Sequence, residues 1–405
     1  MQKEARFKPD DWAILFAMIL AIIAAGSYTT LAGLLLTKLS LAFAWNATSI
    51  STGVAVNMIM YGLVAPFGIF FMERYGVRHV SIAALWFLIA GSAVCLIPNI
   101  GLFNVAWGLL VGFGTGLLTM AYGAYVARRW FIERIGIVTG ILTASAVVGQ
   151  FALLPLWSAL ADIFGWRAPL IGCAILSFLA ILAVIAFVHD EPSPKSVAVT
   201  KPFEDGLYRV VKILFLSMRN RVFWVLVLLF LICGATTNGI MWSHFTPAAV
   251  DCGINVTLAS SILFLIGVFN IVGTIGAGWL ADRMSSRLIL AFVFFGRAGT
   301  LLWLPLILVS GFDPKLIIFG VIFGVLDVAT VPPVIVLCNR VFDKDGPAIF
   351  GWINAFHQIG AGAMAFTGAV IRTNMGSYDM LWIVSGIFCL VATFAVFASC
   401  YERHA

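Results

Sequence analysis

The chain has 405 residues, of which 62% are hydrophobic and only 10% are charged. Soluble domains carry about 25% charged residues, so this composition excludes a water-soluble domain, a disordered chain and a nucleic-acid-binding protein. The apolar residues come in unbroken runs of about 20, the length of a membrane-spanning helix, and not in the short alternating segments of a β-barrel. The sequence therefore predicts an all-α polytopic membrane protein.

Twelve apolar stretches follow one another along the chain. They lie near residues 12–37, 48–72, 79–98, 102–127, 136–161, 168–188, 221–248, 257–281, 288–310, 315–338, 347–371 and 379–400. The long hydrophilic stretch 190–220 is predicted to be a cytoplasmic linker between an N-terminal six-helix bundle, 1–189, and a C-terminal six-helix bundle, 221–405. Within it, residues 207–217 have an amphipathic pattern that fits either a helix on the inner membrane surface or a plain connection.

The lysines and arginines are distributed unequally between the two sides of this arrangement. Lys38, Arg167, Lys315 and Arg372 fall on one side, Arg297 falls inside a span, and the other 19 of the 24 fall on the side of the N-terminus. Positively charged loops tend to stay in the cytoplasm. Both termini are therefore predicted to be cytoplasmic. The end of the bundle on the side of the termini is the predicted inner end, and the opposite end is the predicted outer end.

A short charged pattern recurs in the two halves of the chain. Glu73-Arg74 and Asp282-Arg283 each follow an apolar span, 209 positions apart. At the end of a helix, such a carboxylate can face the positive N-terminus of another helix while the arginines pair with it. We predict that these four residues act in gating, by holding the bundles together on the inner side in one state. The alternative is that they only anchor helix ends at the lipid headgroups.

These and other motifs resemble the major facilitator superfamily, in particular its monocarboxylate-transporter-like branch and bacterial relatives. The residues that carry the resemblance are Gly278, Leu280, Ala281, Asp282 and Arg283; Arg129-Trp130-Phe131; Gly165-Trp166-Arg167; and His357-Gln358. The resemblance implies twelve transmembrane helices in two bundles, which rock about a central cavity lined by spans 7 and 11. That branch has a charged Asp…Arg pair in span 8, where this chain has Asn270 and Thr274.

Two charged residues lie deep in predicted spans, Arg297 in span 9 and Asp327 in span 10. A charge at the bilayer centre costs about 2.5–3.5 kcal/mol, and both residues fall near mid-depth, so we expect them to form an ion pair. Such a pair is either structural or functional. In the functional interpretation, Asp327 exchanges a proton and Arg297 is released to bind an anion through its planar guanidinium.

Polar residues in the other spans complete the predicted site. His357 and His244 lie in spans 11 and 7, where a histidine can carry a proton or donate to a carboxylate. His357 is predicted to act with Asp327 in proton coupling as well as in substrate binding. The other predicted substrate contacts are Arg297, Gln358, Asn354, Asn238, Asn270, Tyr28, Tyr122 and Gln150. The alternative for each of them is hydrogen-bonded packing between helices.

Together these features predict a secondary transporter of a small organic anion, with a monocarboxylate as first choice, coupled to protons and working by alternating access as a monomer. No GxxxxGK[ST] run is present, so ATP hydrolysis is not expected; nor is an enzymatic activity, a cofactor or a metal. The alternatives are an anion exchanger, or a transporter of a larger amphipathic solute such as an aromatic acid, a siderophore-like compound or a drug. The resemblance implies a bacterial inner membrane.

Overall fold

The computed structural model describes residues 9–131, 135–189, 203–281 and 283–398, and the regular structure within these ranges is helical. The passages α1 to α12 correspond to the twelve predicted spans, and a separate linker helix, Phe203–Ser217, lies between α6 and α7. The passages α1 to α6 are Pro9–Phe43, Ala47–Tyr75, Val77–Cys95, Ile100–Leu117 with Met120–Trp130, Ile135–Val147 with Leu154–Phe164, and Arg167–Phe187. The passages α7 to α12 are Arg221–Asp251, Val256–Ala281, Ser286–Ile307, Lys315–Asp327 with Val331–Phe342, Gly346–Met375 and Asp379–Ala398.

Eleven of these passages are long and apolar enough to cross a membrane. The remaining one, α11, has 30 residues and a length of about 45 Å, which is more than the hydrocarbon core requires. Its lower hydrophobicity comes from polar residues that include Asn354, His357 and Gln358. The predicted all-α membrane fold is therefore confirmed.

Several passages depart from the regular α-helix in ways that the sequence analysis did not predict. The passages α4 and α10 are each interrupted, at residues 118–119 and 328–330. In α10 the cause is Pro332-Pro333, since neither proline can donate to a carbonyl of the preceding turn. The described part of the chain also contains three π-helical turns, at Ala106–Val111 in α4, Val148–Ala152 in α5 and Ala235–Trp242 in α7. Such turns are frequent at functional sites.

Two arginines at the predicted inner end show the internal repeat in three dimensions. Arg78 of α3 donates to the Ile185 carbonyl near the end of α6 at 3.1 Å, and Arg287 of α9 donates to the Val396 carbonyl near the end of α12 at 3.0 Å. Carbonyls at a helix C-terminus lack an intrahelical donor and favour cations. Because the two arginines are 209 positions apart, the repeat joins the third and sixth helices of each half in the same way.

At the predicted outer end, a polar cluster joins α5 of the first half to α8 of the second. Lys38 of α1 forms an ion pair with Asp162 of α5. The other carboxylate oxygen of Asp162 accepts a hydrogen bond from Thr257 of α8 at 3.0 Å, and Ser158 lies 3.2 Å from the same threonine hydroxyl. The ion pair therefore orients a carboxylate that holds the two halves together.

A second cluster at this end joins α11 to α2. Arg372 of α11 pairs with Asp251 of α7 at 2.5 Å. The next residue, Thr373, shares a hydrogen bond of 3.1 Å with Thr48 of α2. The two clusters therefore join the halves at the predicted outer end at two places, between α5 and α8 and between α2 and α11.

Phe151 of α5 joins the halves closer to the middle of the bundle. Its side chain is 1% exposed, and its ring meets that of Trp242 in α7 edge-on, with 5.3 Å between centroids. On its other side lies Gly267 of α8, where an added Cβ would come within 2.4 Å of the ring. Phe151 thus fills a slot between α7 and α8 that exists because position 267 has no side chain.

Two glycines of α8 provide a matched test of the packing in the second half. A Cβ at Gly273 would lie 1.9 Å from the Val325 carbonyl oxygen of α10, whereas a Cβ at Gly276 would meet no atom within 4 Å. We expect Gly273→Ala to lower the free energy of unfolding by about 1–3 kcal/mol through overpacking. Gly276→Ala should leave it unchanged or raise it by up to about 1 kcal/mol. Thermal unfolding in detergent measures both, and equal melting temperatures would contradict this packing.

Phe151 can be tested as a closing contact of the outer end. An aromatic pair is worth about 0.5–1.5 kcal/mol beyond its area, so Phe151→Ala should favour the open outer end about two- to tenfold. The measurement is the labelling rate of Thr48→Cys by a membrane-impermeant maleimide. Phe245→Ala is the control, because Phe245 stacks on Phe319 inside the second half. An equal labelling rate in the two double variants would show that Phe151 does not hold this end closed.

Candidate functional site

Arg297 of α9 is completely buried within the second half. Its Nη2 donates to the backbone carbonyls of Leu326, at 2.7 Å, and of Asp327. Its Nη1 donates to Cys233 Sγ at 3.2 Å and to Thr236 Oγ1 at 3.4 Å, both in α7. The expected ion pair is therefore wrong for this conformation: the break in α10 leaves carbonyls without helical donors, and the guanidinium binds these instead of the carboxylate.

The Asp327 carboxyl, also completely buried, has an incomplete set of partners. Its Oδ2 accepts from the Asn270 side-chain amide of α8 at 3.2 Å, and the Asn270 oxygen in turn accepts from Thr274. Its Oδ1 has no hydrogen-bond partner. Asn270 and Thr274, at the positions expected to carry charges in the branch that this chain resembles, are thus a neutral amide that bonds to the buried acid and a hydroxyl that bonds to that amide.

His357 of α11 is half-buried and lies beside Cys233, the same residue that accepts from Arg297. Its ring is 5.8 Å from that of Phe230, and its Nδ1 has no hydrogen-bond partner. Asn354, also half-buried, precedes it by about one turn on the same helix. The structure therefore joins His357 to Arg297 through a single thiol and leaves one buried ring nitrogen of His357 unpaired.

Asn238 and Gln358 meet where the second half contacts α2. The Asn238 amide, within the π-helical turn of α7, donates to the Gln358 oxygen of α11 at 3.4 Å, and Thr237 donates to the Asn238 oxygen at 3.2 Å. A Cβ at Gly62 of α2 would come within 2.6 Å of the Gln358 Cβ. These two predicted residues are therefore brought together next to the first half.

Trp242 connects the interface between the halves to the buried acid. It lies beside Asp327, and its indole Nε1, like the Asp327 Oδ1, is buried without a hydrogen-bond partner. Its ring is the one that Phe151 of the first half contacts. Two polar atoms that lack partners thus belong to neighbouring side chains.

His244 lies in a different place from this cluster. It is completely buried, its Nε2 donates to the Ala365 carbonyl of α11 at 2.7 Å, and its ring is 5.5 Å from that of Tyr378. It thus joins helices within the second half, and its contact with substrate stays a prediction.

The tyrosines predicted in the first half are also in helix seams. The Tyr28 hydroxyl shares a 2.7 Å hydrogen bond with Ser92, and the Tyr122 hydroxyl shares a 2.6 Å bond with Ser81. Both side chains are buried between helices of that half. Gln150 is half-buried in the π-helical turn of α5, directly before Phe151. Of these three, Gln150 is the one next to the interface between the halves.

The predicted gating residues of the first half lie at the end of α2. Glu73 is exposed and lies within electrostatic range of Arg209 in the linker helix. The Arg74 guanidinium is 5.9 Å from the ring of Tyr75. The acidic residue of the motif thus faces the linker, and the gating role of both residues stays a prediction.

The equivalent pair in the second half is described in part. Asp282 lies outside the described residues. Arg283 donates to the Trp279 carbonyl at 3.0 Å and covers the Trp279 ring at 4.1 Å. These contacts hold Arg283 against its own helix.

The buried polar side chains of the second half form a connected cluster around Arg297. Arg297 is surrounded by neutral groups, so its positive charge is not cancelled by a touching carboxylate, and half-buried His357 stands next to it. Within the described residues, no group of three His, Cys, Asp or Glu side chains could hold a metal ion.

Sequence reasoning missed Cys233, Thr236, Trp242 and Phe151, because a residue of these types in an apolar span has no pattern that separates it from a residue that only packs. The polar run in α7 was the available signal for Thr236.

Comparison with known proteins connects this geometry to transporters. Over 385 residues the chain is 25% identical to an uncharacterized MFS-type transporter, YcxA, of Bacillus subtilis, covering 93% of this chain and 92% of that one. It is 26% identical to the cis,cis-muconate transport protein of Acinetobacter baylyi, covering 80% and 78%. It is also 24% identical to human monocarboxylate transporter 12, covering 58% and 50%.

The fold and a family model agree with these relatives. The crystal structure of a D-xylose–proton symporter matches 95% of this chain and 97% of its own, with a TM-score of 0.73 at 17% identity, which establishes a common fold alone. The model of the Major Facilitator Superfamily matches residues 17–365. The chain is therefore an integral membrane protein of the major facilitator superfamily.

Proposed function

We propose that this protein transports a small organic anion, a monocarboxylate in the first instance, together with a proton. The observation that carries the proposal is the pair of buried charges that do not touch: Arg297, held by neutral groups, and Asp327, with one oxygen unpartnered. The names of two relatives, a muconate transport protein and a monocarboxylate transporter, support an anionic carboxylate as the solute class. We place the protein in a bacterial inner membrane, as a monomer with both termini in the cytoplasm.

Asp327 is the group we assign to the proton. Desolvation penalises a charged carboxylate that has few donors, and Asp327 accepts one hydrogen bond, from Asn270. When the halves separate and water reaches this carboxyl, it can release or take up a proton. Its neighbour Trp242, which touches Phe151 of the first half, would make that exposure depend on the position of the halves.

The anion is assigned to the side of the cluster that His357 occupies. The free Nδ1 of His357 and the amides of Gln358 and Asn238 are donors of the kind that bind a carboxylate. The Cys233 thiol lies between His357 and the Arg297 guanidinium. The positive charge of Arg297 therefore attracts the anion without touching it in this state. Direct binding by the guanidinium would follow if it left the α10 carbonyls.

Coupling to a proton has an energetic reason. Moving one elementary charge across 100 mV is worth about 2.3 kcal/mol, and a negative cytoplasm opposes the entry of a lone anion. A proton carried with it makes the step electrically neutral. Exchange for another anion would achieve the same balance and is the alternative.

A larger amphipathic solute is the second candidate. Thr274 donates to Asn270, and Asn270 donates to Asp327, so α8 offers no charged pair of the kind found in the monocarboxylate branch. Aromatic rings, those of Phe230 beside His357 and of Trp242 beside Asp327, would suit an aromatic or unsaturated acid.

Asp327→Asn tests the proton coupling. A difference of one pH unit can drive about tenfold accumulation of a solute carried with one proton. In reconstituted vesicles the wild type should therefore accumulate substrate when the outside is acidified, with uptake rising as external pH falls. Asp327→Asn should lose this accumulation and its pH dependence while keeping exchange of substrate across the membrane.

The matched control is Asp313→Asn, which changes an acid at the predicted outer end that pairs with Lys315. It should have the wild-type pH profile. A wild-type profile in Asp327→Asn as well would exclude Asp327 as the proton carrier.

Thermal stabilisation by candidate solutes tests the substrate class. Lactate, pyruvate and other small carboxylates should each raise the melting temperature of the purified protein, and His357→Ala should abolish the shift. His79→Ala, which alters an exposed histidine of α3, should retain it. Stabilisation by bulky aromatic acids alone would favour the second candidate, and stabilisation by no acid would refute an anionic substrate.

A further inference from the structure

The linker helix, Phe203–Ser217, has no part in the proposed transport mechanism, yet it is fixed in place by both halves. It packs against α2 of the first half and α11 of the second. The Trp352 indole of α11 donates to the Val210 carbonyl at 3.0 Å, and Arg209 lies within electrostatic range of Glu73 at the end of α2. The helix thus bridges the line along which α2 and α11 meet.

The face of this helix that points away from the bundle has a regular pattern. Tyr208, Lys212, Phe215 and Arg219 follow one another at intervals of four, three and four, so they lie along one side of the helix and its last turn. All four are exposed, Tyr208 by 64% and Phe215 by 63%. The Lys212 ammonium lies 5.7 Å from the centroid of the Tyr208 ring. We call these four residues the linker stripe.

The chemistry of the linker stripe fits a negatively charged lipid surface. Helices that lie in the interface of a membrane combine large apolar side chains with lysines and arginines, and tyrosines concentrate at headgroup depth. Each Lys or Arg near an anionic surface contributes about 1 kcal/mol. Residues 207–221 contain four cations and no acidic residue, and the two acids of the linker helix, Glu204 and Asp205, lie in its first turn, before the linker stripe.

We propose that the linker stripe binds the anionic headgroups of phospholipids, so that the linker helix lies in the membrane interface while its other face holds α2 and α11. The binding is independent of the transported solute. Anionic lipid is thereby a ligand of the element that spans the two halves at the predicted inner end.

The test uses the full chain with a fluorophore on Leu216→Cys, an exposed position beside the linker stripe. Brominated phosphatidylglycerol and brominated phosphatidylcholine are titrated into the protein in neutral-lipid nanodiscs, and quenching of the fluorophore is measured. Phosphatidylglycerol should quench at the lower concentration, by about fivefold for each contributing cation. Lys212→Gln with Arg219→Gln should remove that preference, and so should high salt, because screening shortens the range of the attraction.

Two further variants keep the result unambiguous. Arg167→Gln with Lys315→Gln removes two exposed cations at the opposite end and should retain the preference, as should the charge-conserving Lys212→Arg with Arg219→Lys. Equal quenching by both lipids in the wild type would overturn the proposal. Absence of quenching by either lipid would also overturn it, since the stripe would then face water or another protein.

Discussion

The structure of the second half depends on how one arginine is kept charged in the middle of a membrane. An unpaired guanidinium at this depth is costly, and Arg297 meets that cost with backbone carbonyls, a thiol and a hydroxyl, not with a carboxylate. The interruption of α10 favours this solution, because the last carbonyls before a break lack helical donors. Arg297 and Asp327 are therefore neighbours, but their side chains do not form an ion pair.

The contacts between the halves are arranged around this pair. At the predicted outer end, Asp162 and Thr373 each reach across to the opposing half beside an ion pair. Deeper in the bundle, Phe151 enters between α7 and α8 and touches Trp242, which lies beside Asp327. The contacts at the predicted outer end and the burial of Asp327 therefore both depend on packing between the two halves.

The sequence predicted the fold well because hydrophobic runs and loop charges are local signals. Span limits such as 221–248 and 257–281 differ from α7 and α8 by three residues or fewer at each end. It also singled out Arg297, Asp327, Asn270 and His357, since polar residues inside apolar runs stand out, and their roles in transport stay predictions. It could not supply the direction of each side chain around the helix axis, so it could not decide between substrate contact and packing for His244, Tyr28 and Tyr122. In the structure, the His244 Nε2 and the two tyrosine hydroxyls are hydrogen-bonded between helices.

The sequence also could not show the backbone irregularities that decide the pairing. The Arg297–Asp327 ion pair was expected from depth alone, whereas the carbonyls at the break compete successfully for the guanidinium. Phe151 differed in no visible way from the other 33 phenylalanines. The Phe151 ring fits there because Gly267 has no side chain. The two residues are far apart in the sequence, so no local pattern predicts this contact.

Pro332 and Pro333 give the break in α10 an unusual permanence. An imino nitrogen carries no hydrogen in any conformation, so the carbonyls of residues 328 and 329 cannot gain helical donors from positions 332 and 333. Arg297 is held by the carbonyls of Leu326 and Asp327, directly before this fixed break. Beside it, Asp327 Oδ1 and Trp242 Nε1 each remain without a hydrogen-bond partner.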